Sequence, residues 1–376
     1  MKFAHLADLH IGKRINNFSM IEEQKYVLAE IIALLEKEKV DAVFIAGDIY
    51  DTPLPPVEAV RLLDKFLTEL AAMHVSVFII SGNHDSAERL SFGTELLMKS
   101  GVYITSVFTG KELPVKIHDR YGMVNIYMLP FLKPIYARKI WPEENIQTYD
   151  DAIRIAVAKM HIDCEQRNVI IAHQFVTGAQ TSDSEELSIG GLDNISAEIF
   201  APFDYAALGH IHRPQKIGSA KIRYAGTPLK YSFSECNHQK VLTIVELKEK
   251  NNIDIQFKNL HPLHDMRQLR GTYAELTLRK NYETTNTQDY LAITLTDENE
   301  IPDAINKLRV IYPNIMKINY DNKRTQTNNI ITADTQEHKQ PIDMLKDFYF
   351  LQNNKTFSDE QQHFAENLIR QIWEEH

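Results

Sequence analysis

Three apolar runs early in the chain limit what it can fold into: residues 2–7, Ala42–Ala46 (AVFIA) and residues 75–81 (VSVFIIS). The middle run carries no polar residue, as a strand buried on both faces requires. Helix-period segments separate the runs. Ile21–Glu38 places Ile21, Leu28, Ile31, Ile32 and Leu35 on one side, residues 57–73 repeat the pattern, and residues 88–99 read as the next helix. Strand, crossover helix and parallel strand form the right-handed βαβ unit. The middle of the chain is strand-rich, with runs at residues 125–129, 169–172, 205–208, 222–225, 241–247 and 253–260. One long helix, residues 149–167, is expected among them. Such an order predicts an α/β fold of two packed sheets flanked by helices.

The pattern changes near residues 261–271. Strands at 273–278 and 290–295, a helix at 301–311 and a strand at 316–320 make a compact β-β-α-β unit. Residues 321–340 are dominated by Thr, Asn, Gln and Lys and read as a linker. Helical patterns then fill residues 341–352 and 358–373, split by Asn353 and Asn354, with Ser358 as the N-cap of the second. At 376 residues the chain exceeds one ordinary core.

Composition excludes some classes. The chain is 44% hydrophobic and 24% charged, as in a globular protein, and no stretch approaches the roughly 20 apolar residues of a membrane helix. His5, Asp8 and His10 stand where a signal peptide would be apolar, so a cytoplasmic location is expected. Cys164 and Cys236 lie far apart without CxxC spacing, which excludes a disulfide framework and argues against a thiolate metal site. The net charge of −10 argues mildly against a nucleic-acid partner, but bound cations and local basic patches decide binding at a site.

Five short polar motifs follow apolar runs: Asp8-Leu9-His10, Gly47-Asp48, Gly82-Asn83-His84-Asp85, His173, and Gly209-His210-Ile211-His212. Functional groups of α/β sheets collect at the carboxyl ends of strands. Asp8 to Asp48, and Asp48 to Asn83, are each about one strand–helix–strand step, so the motifs share one edge. Residues i and i+2 of a strand point to the same face, which lets Asp8 converge with His10 and His210 with His212. Polar groups beside buried strands need partners, and metal ions would supply them. Two carboxylates and neutral ligands around two divalent ions leave a formal charge of about +2, attractive to phosphate. Mixed oxygen and imidazole ligands suit manganese or iron, and zinc as well.

DxH, GDxxD, GNHD, a later lone His and GHxH, in that order, resemble the calcineurin-like metallophosphoesterase family. The resemblance implies a four-layer αββα sandwich and two divalent ions, manganese first. It assigns Asp8, His10, Asp48 and His212 to one ion, makes Asp48 the bridge, and gives Asn83, His173 and His210 to the second. His84 becomes the catalytic group, protonating or stabilising the leaving oxygen. Two-metal logic puts in-line attack at phosphorus. Around this set, Asp85 orients the His84 ring or caps the following helix, Asp51 supports its loop, and Arg89 contacts a phosphate or makes a surface ion pair.

Protein phosphatases of this class carry GDxxDRG, whereas Asp51 is followed here by Thr52 and Pro53. The form GDIYDT, with GNHDSAERLSFG, IAHQFVTGA, ALGHIHRPQ and YAGTPLKYSFSE, is similar to SbcD-type nucleases over the first 260 residues or so. That similarity implies a nuclease domain at 1–265, a DNA-capping domain at 266–325, a linker at 326–340 and a helical hairpin at 341–376 that docks on an SbcC-type ABC ATPase. It further implies a homodimer through the helices after GDxxD and GNHD, and a manganese-dependent nuclease acting on double-stranded DNA ends and hairpins. No GxxxxGK[ST] loop occurs, so ATP is expected on the partner. The alternatives are a nucleotide or small-ester phosphodiesterase, which would cut cyclic nucleotides and spare hairpins, and a catalytically idle protein that only binds DNA ends.

Overall fold

The computed structural model describes residues 1–185, 193–299, 301–322, 341–353 and 356–374. Two six-stranded sheets face each other. The first runs Ile253–Asn259, Val241–Leu247, Lys2–Leu6, Ala42–Ala46, Ser76–Ile80, Val102–Thr105. Its last four strands are parallel, and the Val241–Leu247 strand is antiparallel to Lys2–Leu6. The second runs Gln215–Ile217, Ser219–Tyr224, Tyr205–Gly209, Arg167–His173, Gly122–Leu129, Val115–Asp119, with its four central strands parallel.

Alternation along each strand sorts side chains into layers. Phe3, Phe44 and Phe78 point between the sheets, where they meet Ile126, Val169, Ile171 and Tyr205. Phe3 stacks on Phe44 with ring centroids 4.3 Å apart. Leu6, Val43, Ile45 and Ile79 point outward onto Val27, Ile31, Leu63 and Phe66 of the Ile21–Glu38 and Val57–Ala72 helices. Ile170, Ala172 and Leu208 of the second sheet pack on Ile153, Ala156 and Val157 of the Tyr149–Ala158 helix. The result is the four-layer αββα sandwich expected.

Three expectations fail locally. The helix expected at 88–99 is two short ones, Ala87–Leu90 and Thr94–Met98, because Gly93 sits at φ 74° and ends the run. The long helix at 149–167 stops at Ala158. Past Lys159 the chain takes a left-handed turn at His161, φ 48°, and Asp163 accepts from the Glu165 amide and the Gln166 side chain before the Arg167–His173 strand begins. Residues Tyr273–Thr277 are helical rather than extended, started by a capping box between Thr272 and Glu275.

The strand of that region lies earlier, at Met266–Gly271, and it pairs in parallel with Tyr290–Leu295, which pairs in parallel with Ile315–Tyr320. This small sheet has its own core of Leu276, Leu291, Ile293, Leu308 and Ile315. It is joined to the sandwich through Met266, Tyr290 and Met316 and through a Lys230–Asp265 ion pair of 2.7 Å. Of the expected linker, residues 323–340 lie outside the described residues. The terminal helices are Pro341–Asn353 and Asp359–Glu374. Ser358 Oγ accepts from the Gln361 amide at 3.2 Å, as expected of an N-cap. Among the described residues no helix is long and apolar enough to cross a membrane.

Candidate metal centre

The parallel strands of both sheets end at one edge, and there the sheets touch. His173 Nδ1–H donates to the Ala46 carbonyl at 2.8 Å, and the His210 amide donates to Asp8 Oδ1 at 2.8 Å. Glycines make the approach possible. A Cβ on Gly209 would stand 1.8 Å from the Ala46 oxygen, one on Gly47 2.3 Å from His173 Nδ1, and one on Gly82 2.0 Å from Asp48 Oδ1. The glycine of each motif therefore leaves room for a polar group.

Asp8, His10, Asp48, His173, His210 and His212 are all buried and face one another, and Asn83 and His84 stand at their rim. His10 Nε2 is 3.1 Å from His212 Nε2 and 3.7 Å from Asp48 Oδ2. His173 Nε2 is 3.4 Å from Asp48 Oδ2 and 3.0 Å from Asn83 Oδ1, which also lies 3.0 Å from His210 Nδ1. Ligand atoms of Asp8, His10 and His212 lie within 4.8 Å of one another, as do those of His10, Asp48 and His84 and those of Asp8, Asp48 and His173, so Asp48 shares groups with both His10 and His173.

Charge and hydrogen bonding decide whether cations fit. Burial pushes His10 down to about 4 and His210 to about 3, which favours neutral rings. Burial also lowers His212. His173 differs: the Asp48 and Asp8 charges outweigh burial and raise it to about 9. Burial, with the Asp48 charge behind it, pushes the Asp8 carboxyl well above the carboxylate range. Asp8 Oδ2 and His210 Nε2 are buried with no hydrogen-bond partner. Two imidazole nitrogens 3.1 Å apart must share a proton or a cation. Imidazole nitrogens crowded on one another and on Asn83 Oδ1, with Asp8 Oδ2 left unpartnered, fit divalent cations.

The supporting residues differ from expectation in detail. Asp85 accepts from the amides of Ile49, Tyr50 and Gly82 at 3.1, 2.9 and 2.9 Å, so it ties the GDxxD loop to the GNHD loop. The following helix, Ala87–Leu90, has no side-chain cap. Asp51 pairs with Lys13 at 2.6 Å and lies 3.5 Å from His10 Nδ1; these contacts outweigh burial and hold it at about 2. His84 donates from Nδ1 to the Asp51 carbonyl at 3.0 Å, and its amide donates to Asp48 Oδ1 at 3.0 Å. Arg89 is exposed and lines an apolar groove with Leu54 and Phe92.

Sequence reasoning missed a second layer. Gln24, buried on a helix, donates to the His10 carbonyl at 2.8 Å, and Tyr231 donates to the Leu9 carbonyl at 2.6 Å. Glu185 accepts from the His212 amide at 2.8 Å, while Ser184, Glu235 and Lys240 stand behind its ring. Tyr231 and Glu235 fall inside the YAGTPLKYSFSE motif, so the signal was present without its meaning.

Fold and site together define a metal-dependent phosphoesterase, and residues 1–214 match the calcineurin-like phosphoesterase family. The chain belongs to that family and, within it, to the SbcD type. A Staphylococcus epidermidis protein, named as the SbcD component of nuclease SbcCD, is 33% identical over 322 residues, covering 85% of each chain. A Staphylococcus saprophyticus protein of the same name is 33% identical over 350 residues, covering 92% of this chain and 89% of its own. Residues 262–353 match the type 5 capsule protein repressor C-terminal domain. A solved dimetal phosphatase from Danio rerio covers 69% of this chain and 96% of its own at 13% identity and a TM-score of 0.40, too distant to argue from.

Proposed function

We propose that this chain is the manganese-dependent nuclease component of an SbcC–SbcD-type complex, cutting duplex DNA ends from 3′ termini and single strands or hairpins internally. The observation that carries the reading is Asp48 Oδ2 lying 3.7 Å from His10 Nε2 and 3.4 Å from His173 Nε2, which supports a carboxylate shared by two ions. In this account Asp8, His10, Asp48 and His212 hold one ion and Asn83, His173 and His210, with Asp48, the other. Bound there, the ions supply Lewis-acid charge against a phosphoryl oxygen.

The protein's own groups do the rest. His173 is fixed by its bond to the Ala46 carbonyl, so Nε2 faces the centre. His84 donates Nδ1–H to the Asp51 carbonyl, which sets the ring's tautomer and leaves proton exchange with a leaving oxygen to Nε2. A polar cleft of about 710 Å³ runs from Ser184, Glu185 and Tyr231 to Gln268, Thr294, Lys317 and Asn319 of the small sheet. Arg14 and Lys317 line it opposite Asp183 and Glu185, and its reach from the sandwich to the small sheet favours an extended phosphodiester strand over a free nucleotide.

Two further surfaces support the assembly. Leu62, Phe66 and Leu70 face their own sheet, but Leu54, Val60 and Phe92 are exposed around a groove of about 530 Å³ between the Val57–Ala72 helix and the short helices after GNHD. That groove is the proposed homodimer contact, and a one-chain mass by light scattering would end that reading. Phe348, Phe364 and Leu368 of the terminal helices are also exposed, an apolar face for the ATPase. Co-purification of a chain ending at residue 340 would remove them from the role.

The test is cleavage of hairpin DNA by the purified chain in Mn2+. His84→Ala should keep metal uptake and lose about 10²–10⁴-fold in rate, whereas Asp48→Ala should lose both. Parent-like cleavage by His84→Ala would remove it from catalysis. Efficient hydrolysis of cyclic nucleotides with hairpins left intact would overturn the nuclease reading.

A further inference from the structure

Behind His212 lies a row of polar groups that the proposed chemistry does not use. Lys240 is buried, and its Nζ donates to the His212 carbonyl at 2.9 Å, Thr227 Oγ1 at 2.7 Å and Glu235 Oε2 at 2.6 Å. Thr227 passes its own proton to the Leu229 carbonyl, so it can only accept from Lys240. Three acceptors take all three protons of an ammonium group. Glu235, fully buried against that ammonium, is then a carboxylate with no proton to give.

The remaining direction follows link by link. Glu235 Oε1 meets the Ser184 hydroxyl, which must be the donor. Ser184 has one proton, and Ser182 sends its own to Glu185 Oε2 at 2.7 Å. Ser184 Oγ therefore offers His212 Nδ1, 2.6 Å away, only a lone pair, and Nδ1 must carry the proton. A neutral ring protonated there has a bare Nε2, the atom 3.1 Å from His10 Nε2.

We propose that Lys240, Glu235 and Ser184 form a relay of fixed proton direction that holds His212 with Nδ1 protonated and Nε2 bare, and so sets the affinity of one half of the metal centre. They are positioning residues, and the affinity claim rests on the metal-centre reading above. Groups behind a metal-binding histidine ordinarily fix its tautomer and raise its basicity. Here the relay reaches from the segment before residue 186 to the strand that starts at Val241, so His212 is set by both.

The test is the tautomer of His212 in metal-free, 15N-labelled full chain, its signal identified by loss in His212→Gln, together with a Mn2+ titration followed by paramagnetic resonance. The parent should show Nδ1–H. Ser184→Ala should populate the other tautomer and weaken one of two Mn2+ sites about 10–100-fold, with Ser184→Thr restoring both readouts. Glu235→Gln should act in the same direction, but it leaves Lys240 buried without its counter-charge and can unfold the chain, so the serine pair decides. A parent with Nε2–H, or a Ser184→Ala variant with parent tautomer and parent affinity, would overturn the relay. A parent that shows Nδ1–H yet takes up no Mn2+ would sink the metal-centre reading and the affinity claim with it, leaving the tautomer assignment standing.

Discussion

Asp8, His10, Asp48 and His210 all hold positive φ, at 53°, 45°, 50° and 103°. For residues with a side chain this costs on the order of 1–3 kcal/mol each and persists only where the surroundings enforce it. Here they do: the Asp8 amide is tied to the Gly47 carbonyl and the His10 amide to the Asp48 carbonyl, both at 3.0 Å. Strain at the ends of strands turns each side chain toward the others. The glycines beside them are part of the same device. Gly82→Ala would drive a methyl group into Asp48 Oδ1 and its backbone nitrogen. Calorimetric titration should then show Mn2+ affinity down by at least about tenfold, and parent-like uptake would mean that Asp48 is not held as described. The eight motif residues were legible because each ends an apolar run. Glu235, Lys240 and Gln24 were not, since a buried charged or amide side chain reads in sequence like any solvated one. Only its burial reveals it.

At the scale of elements, the sequence was clearest where apolar residues recur in an unbroken run or at helical spacing. Ile21–Glu38, Ala42–Ala46 and Val241–Leu247 match their apolar patterns residue for residue. It was weakest where local chemistry overrides periodicity. Gly93 breaks a helix, a left-handed turn at His161 follows the end of another, and a Thr272–Glu275 capping box turns an apparent strand into a helix. The Met266–Gly271 strand was invisible because Arg267, Gln268 and Arg270 hide any alternation. One junction has a measurable pH signature. Glu38, at the end of its helix, accepts from Lys2 at 2.8 Å and Lys258 at 2.7 Å, which pull it from 4.5 to about 2. A depressed carboxyl stabilises the fold above its unfolded value and loses that contribution as pH falls through the folded one. The parent should therefore exceed Glu38→Gln in urea midpoint near neutral pH, and the gap should close between pH 4.5 and about 2. A gap that persists below that window would contradict the assignment.

Across the whole molecule, no single unit makes the site. One sheet supplies Asp8, His10, Asp48 and Asn83, the other supplies His173, His210 and His212, and the aromatic layer of Phe3, Phe44 and Phe78 fixes their separation. The small sheet then walls a charged cleft beside them. Docking two sheets at one edge is thus what brings seven residues far apart in sequence to one place, as the proposed chemistry requires. The most direct measurement is anomalous diffraction at the manganese edge from crystals of the chain grown with Mn2+. The account predicts two peaks about 3.5–4 Å apart, with Asp48 touching both, His10 and His212 on one, and His173 and Asn83 on the other. A single peak, or a pair that Asp48 does not join, would contradict it.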